Sequence, residues 1–147
     1  MPLLWDIFCR VIDNHGDLGV SWRLSCDLAE RGQQVRLWVD DASALHWMAS
    51  GALQGEVPDV RVLPWTQPID PALLASLPAS DVWIEAFGCD IAPYFISACA
   101  DSSSTGGRFD SITASIWINL EYLSAAPCVD RMHSLPSPLQ HGRAAGR

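Results

Sequence analysis

The feature that most restricts how this chain can fold is an alternation of apolar runs of strand length with stretches of helical period. The runs are "LLWDIFCRVI" (3–12), "QQVRLWVDD" (33–41), "DVRVLPW" (59–65), "DVWIEAFG" (81–88) and "SIWINLEYL" (115–123). The first is mostly apolar and rich enough in Ile, Val and aromatics to be a buried strand. Between the first two, "GVSWRLSCDLAERG" (19–32) sets Val20, Leu24 and Leu28 on one helical stripe, with Trp22 and Cys26 a turn out of phase and Gly32 as a stop signal. "ASALHWMAS" follows Asp40 and Asp41, either of which can cap a helix, and "DPALLASLPAS" carries Pro71 in its first turn. A further helix is expected at "APYFISACA" (92–100), then a flexible loop at "DSSSTGGRFDS" (101–111). Strands that alternate with helices predict an α/β fold, a Rossmann-like parallel sheet with helices on both faces. In such sheets ligands sit beyond the carboxyl ends of the strands, beside the first one.

The 147 residues suit one domain with a real core. No stretch reaches the roughly 18 to 20 uncharged apolar residues of a membrane span, and Asp6 and Arg10 interrupt the apolar N-terminus, so a soluble cytoplasmic protein with no membrane role is expected. Cys9, Cys26, Cys89, Cys99 and Cys128 form no CxxC pair and no metal-ligand pattern with the histidines, which predicts reduced, mostly buried thiols and no metal site. The formal net charge is −8, and all nine basic residues are arginine. So acidic a domain is a poor binder of nucleic acid, whose affinity comes largely from phosphate neutralisation, and a basic protein partner suits it better.

After the first run comes "VIDNHGDLGV" (11–20), in which Gly16 and Gly19 stand three apart. The pattern approaches G-x-G-x-x-G with Asn14 in the first glycine position, and Asp40 and Asp41 lie where a ribose-binding acid is expected, so a dinucleotide site is one reading. Asp13 and Asp17 argue against it, because two carboxylates where a helix N-terminus should meet a pyrophosphate repel the ligand. A second reading makes a carboxylate there a general base or the holder of a cationic acceptor. A third leaves both aspartates as helix caps and turn formers. Asn14, Gly16 and Gly19 shape the loop on any of these. Glu85 and Asp90 bracket "AFGC" after the fourth run and can line the same cleft or cap. Asn119, Glu121 and Tyr122 end the fifth and can approach the acceptor, although a tyrosine such as Tyr122 is more often a core residue. The seven tryptophans are expected to pack, and only an exposed one at the cleft would point to acceptor recognition.

Four segments in order, "FCRVIDNHGDLGVSWRLSCDLAERGQQVRLWVDD", "VWIEAFGCDIAPYF", "WINLEYLSA" and "HSLPSP", resemble the elongation factor P arginine rhamnosyltransferase family, EarP, over most of 8–138. The resemblance implies the N-terminal domain of a GT-B glycosyltransferase. The reaction it implies moves L-rhamnose from dTDP-β-L-rhamnose to one arginine of elongation factor P, with inversion and without metal or other cofactor. It implies that Asp13 is the general base and Asp17 the second essential carboxylate, in a loop that handles an arginine. Asn14, Gly16, Gly19, Glu85, Asn119 and Glu121 are the implied substrate-binding residues. His15 stands where the family more often has an aromatic, and carries no assigned role. Ala126 replaces an acidic residue of the family, and the connection around 101–115 is longer. The implied division is an acceptor-binding domain at 1–138 and an irregular tail at 139–147, with the nucleotide-sugar domain absent and the chain alone weak or inactive. The alternatives are a non-catalytic module that binds elongation factor P and, less well supported, a Rossmann dinucleotide-binding protein.

Overall fold

A computed structural model describes residues 1–12, 15–92, 116–122, 124–133 and 135. The helix expected at 92–100, the loop at 101–111 and the 138/139 boundary with its tail lie outside these, apart from Ala92. Among the described residues are five strands: β1 (Leu4–Cys9), β2 (Gln34–Val39), β3 (Val60–Pro64), β4 (Val82–Ala86) and β5 (Ile116–Leu120). They form a single parallel sheet in the order β3-β2-β1-β4-β5. The helices are α1 (Gly16–Glu30), α2 (Leu45–Met48), α3 (Pro71–Ser76) and α4 (Cys128–Met132). β1 is therefore central, and the order reverses between it and β4, so the cleft above its carboxyl end is the natural place for a site.

The two faces of β1 explain its unbroken apolar run. Ile7 and Cys9 face one layer with Val35, Leu37, Val39, Ile84 and Leu18 of α1. Phe8 faces the other with Trp38, Leu63, Trp65, Trp83 and Leu73 and Leu74 of α3. There Phe8 stacks on Trp38 with ring centroids 6.0 Å apart and meets Trp65 and Trp83 edge-on at 5.5 and 6.3 Å. Each such aromatic pair contributes about 0.5–1.5 kcal/mol beyond its buried area. Most of the tryptophans do pack, but Trp47 stays exposed.

α1 begins three residues earlier than its sequence pattern suggests. Gly16 to Val20 are helical, so half of the expected loop is the first turn of α1. Of its stripe, Leu24 and Leu28 pack against the core while Val20 is exposed, and the deepest positions are Leu18, Ser21 and Ser25. Small serines let the helix approach the sheet, and the Ser25 hydroxyl donates to the Ser21 carbonyl at 2.8 Å. The stop at Gly32 holds. Its φ is +79°, and the Gly32 and Gln33 amides donate to the Ala29 and Leu28 carbonyls, a Schellman closure that favours glycine. Asp70 caps α3 by accepting from the Ala72 amide at 2.9 Å, with Pro71 in the first turn.

The same layer as Phe8 contains an ion pair. Asp6 is fully buried, and its carboxylate accepts two bonds from Arg36 at 2.6 and 2.5 Å and one from the Trp38 indole at 2.8 Å. Arg36 also donates to the Pro78 carbonyl at 2.9 Å. Removing one partner of such a pair strands a buried charge, whereas replacing both with apolar groups of similar volume does not. Asp6→Ala is expected to lower unfolding stability by about 3–5 kcal/mol, and the double change Asp6→Leu with Arg36→Met by much less. Urea unfolding checks this, and equal losses for the single and double variants would contradict it.

Candidate functional site

The carboxyl edge of the sheet gathers the end of β1, the first turn of α1, the turn after β4 and the exit of β5. Asp17 sits in the first turn of α1, where a carboxylate is favoured by the helix dipole. The Tyr122 hydroxyl, just past β5, lies 2.9 and 2.8 Å from its two carboxylate oxygens and donates across them. Tyr122 in turn stacks on Phe87, with ring centroids 4.5 Å apart and planes 27° from parallel. It is therefore an exposed edge residue and not the core residue its type suggests.

Phe87 reaches that position through an unusual turn. Phe87, Gly88 and Asp90 have φ of +56°, +62° and +58°, a region that costs a non-glycine residue energy and persists where surroundings hold it. The surroundings are visible. The Phe87 amide donates to the Leu120 carbonyl at 2.7 Å, the Asp90 amide donates to Glu85 at 3.0 Å, and the Cys89 thiol lies 3.4 Å from the Phe8 carbonyl.

The other expected site residues separate. Glu85 closes its own turn through Asp90, the capping alternative for that pair. Asn119 accepts from the Trp117 indole at 3.0 Å, on the face of the sheet that carries Trp83. Among the described residues neither bonds to Asp17. Glu121 is exposed beside Tyr122. Gly16 opens α1, and Gly19 lies within it, where an added Cβ would come to 3.0 Å of the Met48 terminal carbon. Gly19 therefore lies in the first turns of α1 and not in a loop, and a side chain there would ask only the flexible end of Met48 to shift. Asp13 and Asn14 lie outside the described residues. His15 precedes α1 and meets exposed Trp47 edge-on at 5.9 Å, so one tryptophan does stand in the open next to the loop.

Asp40 and Asp41 are engaged locally. Asp40 accepts from the amides of Val11 and Asp41, both at 2.8 Å, which pins the exit of β1 to the end of β2. Asp41 accepts from the Ser43 amide at 2.9 Å, and hydrogen bonding from Ser43, with His15 nearby, holds its carboxyl below the usual range. Acids committed to backbone amides are poorly placed to take a ribose. Ala126 stands in an exposed turn, its carbonyl accepting from the Val129 amide. Among the described residues no helix is long and apolar enough to cross a membrane, and no cluster of His, Cys, Asp and Glu could hold a metal ion.

Comparison with known proteins gives the family of the chain. The sequence model of a family described as Elongation-Factor P (EF-P) rhamnosyltransferase EarP matches residues 5–145. The chain belongs to the EarP family. It is similar to a protein-arginine rhamnosyltransferase of Pseudomonas putida, 39% identical over 97% of this chain and 35% of the relative. Relatives of the same name from Pseudomonas aeruginosa and Neisseria meningitidis are 40% and 39% identical, over 90% and 93% of this chain and 33% of their own length. The chain thus spans about a third of the length of these EarP proteins.

The thiols at the edge are guarded by burial. Burial raises Cys9 to about 11, with the charges of Asp17 and Asp40 adding to the rise and the Ser21 hydroxyl opposing it. Burial, then the charge of Glu85, raises Cys89 to about 12. At pH 8 both are protonated and enclosed, while Cys128 is exposed. Iodoacetamide at pH 8 is expected to modify Cys128 in the native protein and to reach Cys9 and Cys89 only after denaturation, read by peptide mass spectrometry. Rapid native modification of Cys9 or Cys89 would contradict this.

Proposed function

We propose that this chain is the acceptor-binding part of a protein-arginine rhamnosyltransferase, and that its acidic edge receives the arginine of elongation factor P. The observation that carries the reading is the position of the Asp17 carboxylate, at the N-terminus of α1 beside the switch point of the sheet, in a member of this family. An arginine guanidinium is almost always protonated, with a pKa above about 12, and its nitrogens attack poorly until a carboxylate orients them and accepts a proton. A carboxylate also matches the guanidinium fork bidentately. Asp17 orients the cation on this reading, and Asp13, four residues earlier, accepts the proton. The net charge of −8 favours a basic acceptor.

The sugar donor in this proposal is dTDP-β-L-rhamnose, held by the part of the family length that the chain does not span. No cofactor takes part. Transfer forms the bond between the arginine nitrogen and the anomeric carbon and breaks the bond to the diphosphate, and inversion follows from attack on the opposite face. The setting is the cytoplasm, where translation factors reside. A dinucleotide role fits less well, because Asp17 stands in the turn that a pyrophosphate would approach and Asp40 is bonded to two backbone amides.

A chimera in which residues 5–135 replace the matching segment of the Pseudomonas putida relative tests the assignment. Asp13→Asn or Asp17→Asn in that chimera is expected to lower the rate of rhamnosylation of elongation factor P by about 100-fold or more, the usual scale for a lost general base. Transfer that is undiminished in both variants would overturn the roles of these carboxylates.

A further inference from the structure

Tyr122 is the described side chain that touches the Asp17 carboxylate, and it does so from a different element. Its ring is fixed by the stack on Phe87, which stands on the left-handed turn after β4. Its hydroxyl spans both carboxylate oxygens. Three elements, β4, β5 and α1, are thus tied together at one acidic group. A stacked ring has few orientations, so the hydroxyl and the carboxylate restrict each other.

We propose that Tyr122 is a positioning residue for Asp17, holding the carboxylate in the orientation in which it meets a cationic acceptor. This rests on the reading of Asp17 as the acceptor carboxylate. The ring–ring contact supplies the rigidity, and the hydroxyl supplies the direction. Removal of the hydroxyl alone leaves the stack and frees the carboxylate to rotate.

The phenol carries a signature of this tie. Its pKa is held above the ordinary phenol range, first by the hydrogen bond to Asp17, then by desolvation, then by the negative charge of Asp17, Cys9 and Glu121. These are the acidic groups presented to it by α1, β1 and the exit of β5. An anion that accepts from a hydroxyl opposes loss of that proton.

The test uses the whole 147-residue chain labelled with carbon-13 at the tyrosine ring carbon that bears oxygen. There are two tyrosines, Tyr94 and Tyr122, and Tyr122→Phe assigns the signals by removing one. Tyr122 is expected to titrate above pH 10, and Asp17→Asn to move its midpoint down. An unchanged midpoint in Asp17→Asn would overturn the proposal. Binding of elongation factor P, measured by calorimetry, then closes a double-mutant cycle. Tyr122→Phe is expected to weaken binding about fivefold when Asp17 is present and less than twofold in the Asp17→Asn background. Equal weakening in both backgrounds means a merely structural tyrosine and overturns the proposal. A midpoint that moves as expected, with binding indifferent to both changes, upholds the tie between the residues and overturns the acceptor reading instead.

Discussion

A buried carboxylate in the central strand sets the terms for the rest of the fold. Asp6 has no exposure to water, so its charge is tolerable only while Arg36 and the Trp38 indole face it. Those partners lie opposite it only in the observed β1–β2 register, where Asp6 pairs with Arg36 and Phe8 with Trp38. A slip of one residue would turn Asp6 into the layer under α1 and leave Arg36 without an acceptor. Arg36 also holds the Pro78 carbonyl, in the connection that leads into β4. The pair is costly to desolvate, and its members meet only in this pairing of β1 with β2.

The candidate site inherits its geometry from that register. The exit of β1 is pinned by Asp40 at the end of β2, which fixes where α1 can start. β4, paired with β1 on its other side, delivers Phe87 to the same edge, and β5 brings Tyr122 onto it. Asp17 in the first turn of α1, Tyr122 past β5 and Phe87 after β4 meet there, the phenol bridging the carboxylate and the Phe87 ring. The turn at 87–90 fits this arrangement: its hydrogen bonds to Leu120, Glu85 and Phe8 offset the cost of the left-handed backbone and leave the Phe87 ring on that edge.

Much of this was legible in the sequence, and the misses have physical causes. The central strands showed because burial on both faces leaves apolar runs, whereas β5 lies largely exposed at the sheet edge and showed by its β-branched and aromatic residues, and the stop of α1 showed because Gly32 is a backbone requirement. The start of α1 did not, since Gly16 and Gly19 carry turn chemistry in the sequence yet both lie within the helix. Leu24 and Leu28 of the buried face of α1 showed in the sequence, but its deepest positions did not, because Ser21 and Ser25 are small and polar and hydropathy points elsewhere. Tyr122 resembled a core residue because its type usually is one, and only the fold reveals a hydroxyl aimed at a carboxylate 105 positions away. The Asp6–Arg36 pair was invisible for the same reason, its members being 30 residues apart. The resemblance to EarP supplied Asp17 as a site residue, and the fold adds what holds it.

The most direct test of the acidic edge as an acceptor site is a two-dimensional NMR titration of the labelled chain with the acceptor domain of elongation factor P, following the amides of Gly16 and Asp17. The account predicts saturable shifts centred on the first turn of α1 and spreading to Phe87 and Tyr122. A well-dispersed spectrum that does not respond, or responds only at the far face around α3, would contradict it.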